Sequence, residues 1–174
     1  EVTENTKNVL LEAKEKGIEI VLASGRPISS TKSLAVEIGL DNYIISGNGA
    51  VVYDIKNEAV VYDKFLSKEQ VFNVIDVCEA NSIFYNIYTE DEVITKSLNY
   101  NVLFYHKENI KKIEEKRTHI NVVSDVKEYI EQSGNTKFLK ITVCDESKMI
   151  FNGIIRKLKE LGGLDILNVE HMSR

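Results

Sequence analysis

The chain reads as an α/β protein with a partial parallel core followed by a smaller α+β unit. Three observations predict this. Residues 3–46 alternate helix, strand, helix and strand with short connections, the order that builds a parallel sheet. Two of the connections that follow strands, "SGRP" and "SGNGA", have the composition of ligand loops rather than of plain turns. From Ser67 onward the pattern changes to hairpins and helices. We therefore divide the chain into residues 1–66 and 67–174.

The elements follow in order. Thr3 is a fitting N-cap for a helix over residues 3–16. Val9, Leu10 and Ala13 share one side of it, and Gly17 suits its C′ position. "IEIVLA", residues 18–23, predicts a short, largely buried strand. Pro27, the one proline, suits the start of a second helix, because its missing N–H costs nothing there. Leu34, Ala35 and Ile38 form that helix's apolar stripe and Gly39 ends it. "YIIS", residues 43–46, is a second buried strand. Residues 50–66 hold two β-rich runs around "IKNE", a hairpin.

In the second part, Ser67 and Gln70 form a capping box that opens a helix with Val71, Val74, Ile75 and Cys78 on one face. "IFYNIYTEDEVITKS" predicts a hairpin turning at Glu90 and Asp91. Residues 98–118 read as mostly helical and 125–132 as a short helix. "KFLKITVCD", residues 137–145, is a strand. Residues 147–161 are a helix with Ile150, Ile154, Leu158 and Leu161 in one stripe. "LDILNVE", residues 164–170, reads as a closing strand.

Composition narrows the function. Of 174 residues, 43% are hydrophobic, enough for a packed core. The net charge of −5, with lysines interleaved among acids, disfavours nucleic acid, whose binding needs clustered cations. No apolar run approaches the length of a membrane span, and no signal peptide is evident. Cys78 and Cys144 read as buried free thiols of a cytoplasmic protein. His106, His119 and His171 lack metal-ligand spacing, so a zinc site is not expected. The acids Asp54, Asp63, Glu90, Asp91 and Glu92 fall in hairpins or turns and read as solvated. Tyr85 and Tyr88 read first as core aromatics; substrate contact by these or by Arg174 is the alternative, and none is assigned to the site.

"IEIVLASGRPISS" carries the chemistry. A strand end leading into a helix N-terminus offers free backbone N–H groups and a partial positive charge. Ser24 adds a hydroxyl, Gly25 permits close backbone approach, and Arg26 offers a planar fork to phosphate or carboxylate oxygens. Such a loop fits a phosphoryl group. The same residues also fit a tight turn with Ser24 capping and Arg26 solvated.

The ordered run "EAKEKGIEIVLASGRP", "LAVEIGLD" and "YIISGNGAVVYD" resembles the haloacid dehalogenase superfamily, and within it the Cof-type phosphatases. The resemblance is strongest over residues 10–54 and rests on element order beyond them. It implies a partial Rossmann-like core with an inserted α+β cap of type IIB. It implies that Ser24 is the second-motif hydroxyl that holds the transferring phosphoryl group and that Gly25 and Arg26 line the site. Asn48, Gly49 and Ala50 flank it. It further implies a Mg²⁺-dependent, cytoplasmic hydrolase of small phosphorylated metabolites such as sugar phosphates, acting through an aspartyl-phosphate. No Asp-x-Asp-Gly-Thr segment occurs in the sequence. The nucleophile is expected before residue 1, and the third-motif lysine and the Mg²⁺ ligands after residue 174. The chain alone is then expected to be inactive. A non-catalytic phosphate- or nucleotide-binding α/β module is the alternative.

Overall fold

Thr3 starts α1 (Glu4–Glu15) by accepting a hydrogen bond from the Thr6 amide at 3.2 Å. In the computed structural model, described over residues 2–114 and 117–168, α1 leads to a four-stranded sheet. Its strands are β1 (Leu22–Ala23), β2 (Tyr43–Ser46), β3 (Val51–Asp54) and β4 (Ala59–Asp63), in that spatial order. β1 and β2 are parallel and joined through α2 (Ile28–Glu37); β2, β3 and β4 are antiparallel. The parallel reading therefore holds for one strand pair.

β1 is shorter and less buried than its sequence predicts. Only Leu22 and Ala23 pair, and Ile18 and Val21 are 56% and 43% exposed. β1 is the edge strand, bonded to β2 alone among the described residues, so residues 18–21 find no ladder to extend, and of them only Ile20 packs against the α2 cluster. The stripe of α1 shares this fate, since Val9 is exposed and Leu10 and Ala13 only half-buried. The stripe of α2 does find its core: Ala35 and Ile38 are buried with Ile44 and Leu40.

The second sheet has the order β7 (His119–Val122), β6 (Glu92–Thr95), β5 (Phe84–Thr89), β8 (Phe138–Cys144). β5 is antiparallel to both β6 and β8, whereas β7 runs parallel to β6. α3 (Lys68–Ala80), α5 (Val126–Ser133) and α6 (Lys148–Leu161) bury Val74, Ile75, Ile130 and Ile154 against Ile87 and Phe138. The capping box forms as expected, with Gln70 N donating to Ser67 Oγ and Ser67 N to Gln70 Oε1. Among the described residues no helix is long and apolar enough to cross a membrane.

Three expectations for this part need correction. β7 was not foreseen: its four residues carry no alternation and none is fully buried. α4 (Tyr100–Asn109) covers only part of 98–118. Residues 164–168 form no strand, because Gln70 Nε2 donates to Gly163 O at 2.8 Å and Lys64 pairs with Asp165 at 2.8 Å, seating the segment beside α3 instead of along a ladder. Positions 169–170 of that expected strand, with His171 and Arg174, lie outside the described residues. In α6, Ile154 and Leu158 are buried but Ile150 and Leu161 are 45% and 39% exposed.

The two sheets meet through Val51 of β3 and Tyr88 and Leu139 of the second sheet, buried together with Val102 and Tyr105 of α4. This contact sets β8 against the loop that follows β2. Phe138 is fully buried, and replacing it with Ala should lower stability by about 3–5 kcal/mol. Val61, which is 58% exposed, should tolerate Ala within about 0.5 kcal/mol. Urea titration of both variants checks this; equal losses would contradict the assigned core.

Candidate functional site

The residues after β1 and after β2 are tied into one structure by main-chain bonds. Ser24 N donates to Ile45 O at 2.9 Å, prolonging the parallel ladder by one step. Gly47 N then donates to Arg26 O at 3.1 Å and Asn48 N to Ser24 O at 3.2 Å. Ser46 Oγ adds a bond to Arg26 O at 2.8 Å and contacts Thr31 Oγ1 at 3.0 Å. Ser46 and Thr31 are fully buried, so this polar pair anchors the start of α2 beneath the loop. The two loops thus sit side by side, as their positions at parallel strand ends require.

Within the loop, Ser24 Oγ accepts from Arg26 N at 3.2 Å. That bond uses an oxygen lone pair and leaves the Ser24 O–H free to donate outward. Pro27 stands at the N-cap of α2, one position earlier than the sequence predicts, and gives no side-chain cap. The first-turn amides of α2 therefore have no side-chain acceptor from that position. Gly25 is required by proximity: a Cβ there would lie 2.7 Å from Asn48 Oδ1. Asn48 itself is left-handed, at φ 63° and ψ 31°, a region Asn tolerates. Gly49, at φ +97°, ends the short 3₁₀ turn Gly47–Gly49, and its constraint is conformational alone. All five residues singled out from the sequence, Ser24, Gly25, Arg26, Asn48 and Gly49, are brought together here.

The second sheet supplies residues that sequence reasoning missed. Lys140, on β8, sends its Nζ to Gly25 O at 2.5 Å and Asn48 Oδ1 at 3.1 Å. The same ammonium lies 4.5 Å from the centroid of the Tyr88 ring. Burial lowers the Lys140 pKa to about 8. Burial also raises Tyr88 and Tyr105 above the ordinary phenol range. From α4, Glu108 approaches Arg26 at 3.7 Å and Lys112 at 3.8 Å. Arg26 is thus half-buried against a carboxylate, not solvated. The available signal was a lysine inside the apolar run "KFLKITVCD", a residue type that strands rarely bury.

The acids read as solvated divide. Asp63 and Asp91 are exposed. Asp54 is buried and accepts from Asn57 N at 3.0 Å and Asn57 Nδ2 at 2.8 Å, which hold its pKa below the usual carboxylate range. Glu90 pairs with Lys137 at 2.8 Å. Glu92 accepts from Tyr129 Oη at 2.9 Å, from Asn135 Nδ2 at 2.5 Å and from Asn121 Nδ2. These three carboxylates are structural: amides hold Asp54, an ammonium holds Glu90, and amides with a tyrosine hydroxyl hold Glu92. Neither cysteine is in a disulfide: Cys78 is buried, as expected, but Cys144 is only half-buried.

The residues present do not fit a divalent cation. Among those described, no three His, Cys, Asp or Glu side chains converge on a point, and Glu108, which reaches the loop, is engaged by two cations. No step is therefore routed through a metal held by these residues.

Comparison with known proteins identifies the family and the fold. The haloacid dehalogenase-like hydrolase family matches residues 1–173, and the chain belongs to that family. It is 25% identical over 95 residues to phosphatase YwpJ of Bacillus subtilis, covering 55% of this chain and 33% of that protein. Among solved structures, a haloacid dehalogenase-like hydrolase from B. subtilis aligns with a TM-score of 0.74 at 18% identity, covering 91% of this chain and 61% of that one. A sugar phosphatase of subclass IIB aligns with a TM-score of 0.65 at 18% identity, covering 91% and 56%. The chain spans about a third of the length of the curated relatives it matches.

Two predictions follow from the loop geometry. Gly25→Ala should push the Asn48 side chain aside and cost about 1 kcal/mol, and Asn48→Ala should relieve most of that cost in the double variant. Additive losses in a denaturant double-mutant cycle would contradict the close approach. For Lys140, a folded pKa below the unfolded one means that the unfolded chain binds more protons between about pH 8 and 10.5. The contribution of this group to stability must therefore rise with pH across that window. Lys140→Met should lose this rise; identical pH slopes for the two proteins would refute it.

Proposed function

We propose that the whole protein is a phosphatase of small phosphorylated metabolites and that the loop 24–26 with 47–49 holds the phosphoryl group. One observation carries the reading. The two strand-end loops are locked together at the N-terminus of α2, where the Ser24 hydroxyl, the Arg26 guanidinium and first-turn amides without a side-chain cap offer donors. Donors fixed before substrate arrives stabilise charge that develops on phosphoryl oxygens without reorganising. Family membership supports the reaction class.

In this proposal, residues 1–66 form part of the core and residues 67–174 the cap over it. The joint burial of Val51, Tyr88 and Leu139 supports a cap that closes onto the loop. Sugar phosphates are the proposed substrate class, supported by the subclass IIB sugar phosphatase of similar fold. An aspartate outside these residues would attack phosphorus, expelling the alcohol, and water would release phosphate from the resulting aspartyl-phosphate. Mg²⁺ belongs to the same proposal, with ligands outside these residues. Two free thiols support a cytoplasmic setting.

Ser24→Ala in the whole enzyme should lower kcat/KM for a sugar phosphate on the order of 10²–10³-fold. The 174-residue chain alone should show no Mg²⁺-dependent turnover, since it lacks an Asp-x-Asp-Gly-Thr segment. Steady-state assays of released phosphate test both. An unimpaired Ser24→Ala enzyme, or turnover by the isolated chain, would defeat the proposal.

A further inference from the structure

Among the described residues the charge of Lys140 has no counter-charge. Its two oxygen partners, Gly25 O and Asn48 Oδ1, are neutral, and the Tyr88 ring beneath it contributes only its π-face. Among the described residues no carboxylate lies within ion-pair distance of Nζ, and Glu108 is already shared by Arg26 and Lys112. A half-buried ammonium drawn partly out of water without an anion is costly, and proteins keep such a group where something else gains from it. Here it is fixed at Gly25, between the two residues whose side chains face the proposed phosphoryl group. The fixing is firm: Lys140 lies opposite Tyr88 in the β5–β8 ladder, and its neighbour Leu139 is buried between the two sheets.

We propose that Lys140 is a substrate-contacting residue, its ammonium meeting the non-bridging oxygens of a phosphoryl group at Ser24 and Arg26, so that the second sheet completes the anion site. This rests on the phosphate reading of the loop. A second cation beside Arg26 favours a dianion over a monoanion, and so selects phosphate monoesters against diesters. Without ligand the ammonium is held by Gly25 O and Asn48 Oδ1; with ligand it exchanges neutral acceptors for charged ones, which bind it more strongly.

Sulfate is the probe, because it remains a tetrahedral dianion across the working pH range. Calorimetric titration of the intact protein should show sulfate binding weakened at least about tenfold by Lys140→Gln. Lys140→Arg, which keeps the charge, should bind within about threefold of wild type. Wild-type affinity should fall from pH 7 to 9.5 as the ammonium loses its proton, and the Lys140→Gln protein should show no such fall. The other groups around this point do not imitate that profile. Tyr88 of β5 and Tyr105 of α4 titrate above the usual phenol range, Cys144 of β8 near 11, and Arg26 and Glu108 pair with each other. Unchanged sulfate binding in Lys140→Gln, equal weakening in Lys140→Arg, a flat wild-type profile or no wild-type binding each overturns the proposal. Esterase assays separate the two readings. A wild-type enzyme that hydrolyses monoesters, with Lys140→Gln unaltered in sulfate binding, removes Lys140 alone. A wild-type protein that binds sulfate through Lys140 but hydrolyses nothing removes the phosphatase reading alone.

Discussion

Two main-chain hydrogen bonds, from the amides of Gly47 and Asn48 to the carbonyls of Arg26 and Ser24, are the constraint on which the site depends. They close a turn after β1 onto a turn after β2 and so fix the entrance to α2. Everything else at the site answers to that closure. Gly25 has no room for a Cβ because the Asn48 side chain lies against it, and Asn48 accepts a left-handed backbone to reach that position. The buried Ser46–Thr31 pair satisfies the polar groups that closure withdraws from water. A loop held in this way keeps its donors aimed whether or not a ligand is present, which is the condition for electrostatic catalysis.

The same closure brings the second sheet into the site. Gly47 packs against Leu139, where a Cβ would lie 3.4 Å from the leucine's own. Leu139 in turn shares an apolar cluster with Val51 and Tyr88. Lys140, one residue on, points its amine into the loop because the alternation along β8 puts it opposite Tyr88. A chain with a net charge of −5 therefore presents three cations, Arg26, Lys112 and Lys140, around one carboxylate, Glu108, near the point where its two sheets meet. Global charge argued against a polyanionic partner, and local charge argues for a small anion. The two statements concern different length scales and do not conflict.

Much of this was legible in the sequence where the signal is local. The capping box at Ser67, the α2 stripe ending at Gly39, the hairpin around residues 55–58 and the adjacency of the two strand-end loops all rest on local pattern, and the structure follows them. Legibility ended where tertiary context decides. "IEIVLA" has the composition of a buried strand, yet at the sheet edge only its last two residues pair. "HINV" carries no periodic mark and becomes a strand because β6 offers it a parallel edge. Asp54 and Glu92 looked solvated because their amide and hydroxyl partners cannot be foreseen from turn composition alone, Glu92's lying as far off as Asn135. Lys140 was hidden for the same reason, since its partners are 115 and 92 positions away.

The central claim is that one tetrahedral anion binds where Ser24, Arg26 and Lys140 converge. The most direct measurement is a tungstate soak of crystals of the intact protein, with the metal located by anomalous scattering. The account predicts a single strong peak with its oxygens within hydrogen-bond reach of Ser24 Oγ, the Arg26 guanidinium and Lys140 Nζ. Tungstate elsewhere in the molecule, with the loop empty and Lys140 still bonded to Gly25, would contradict it.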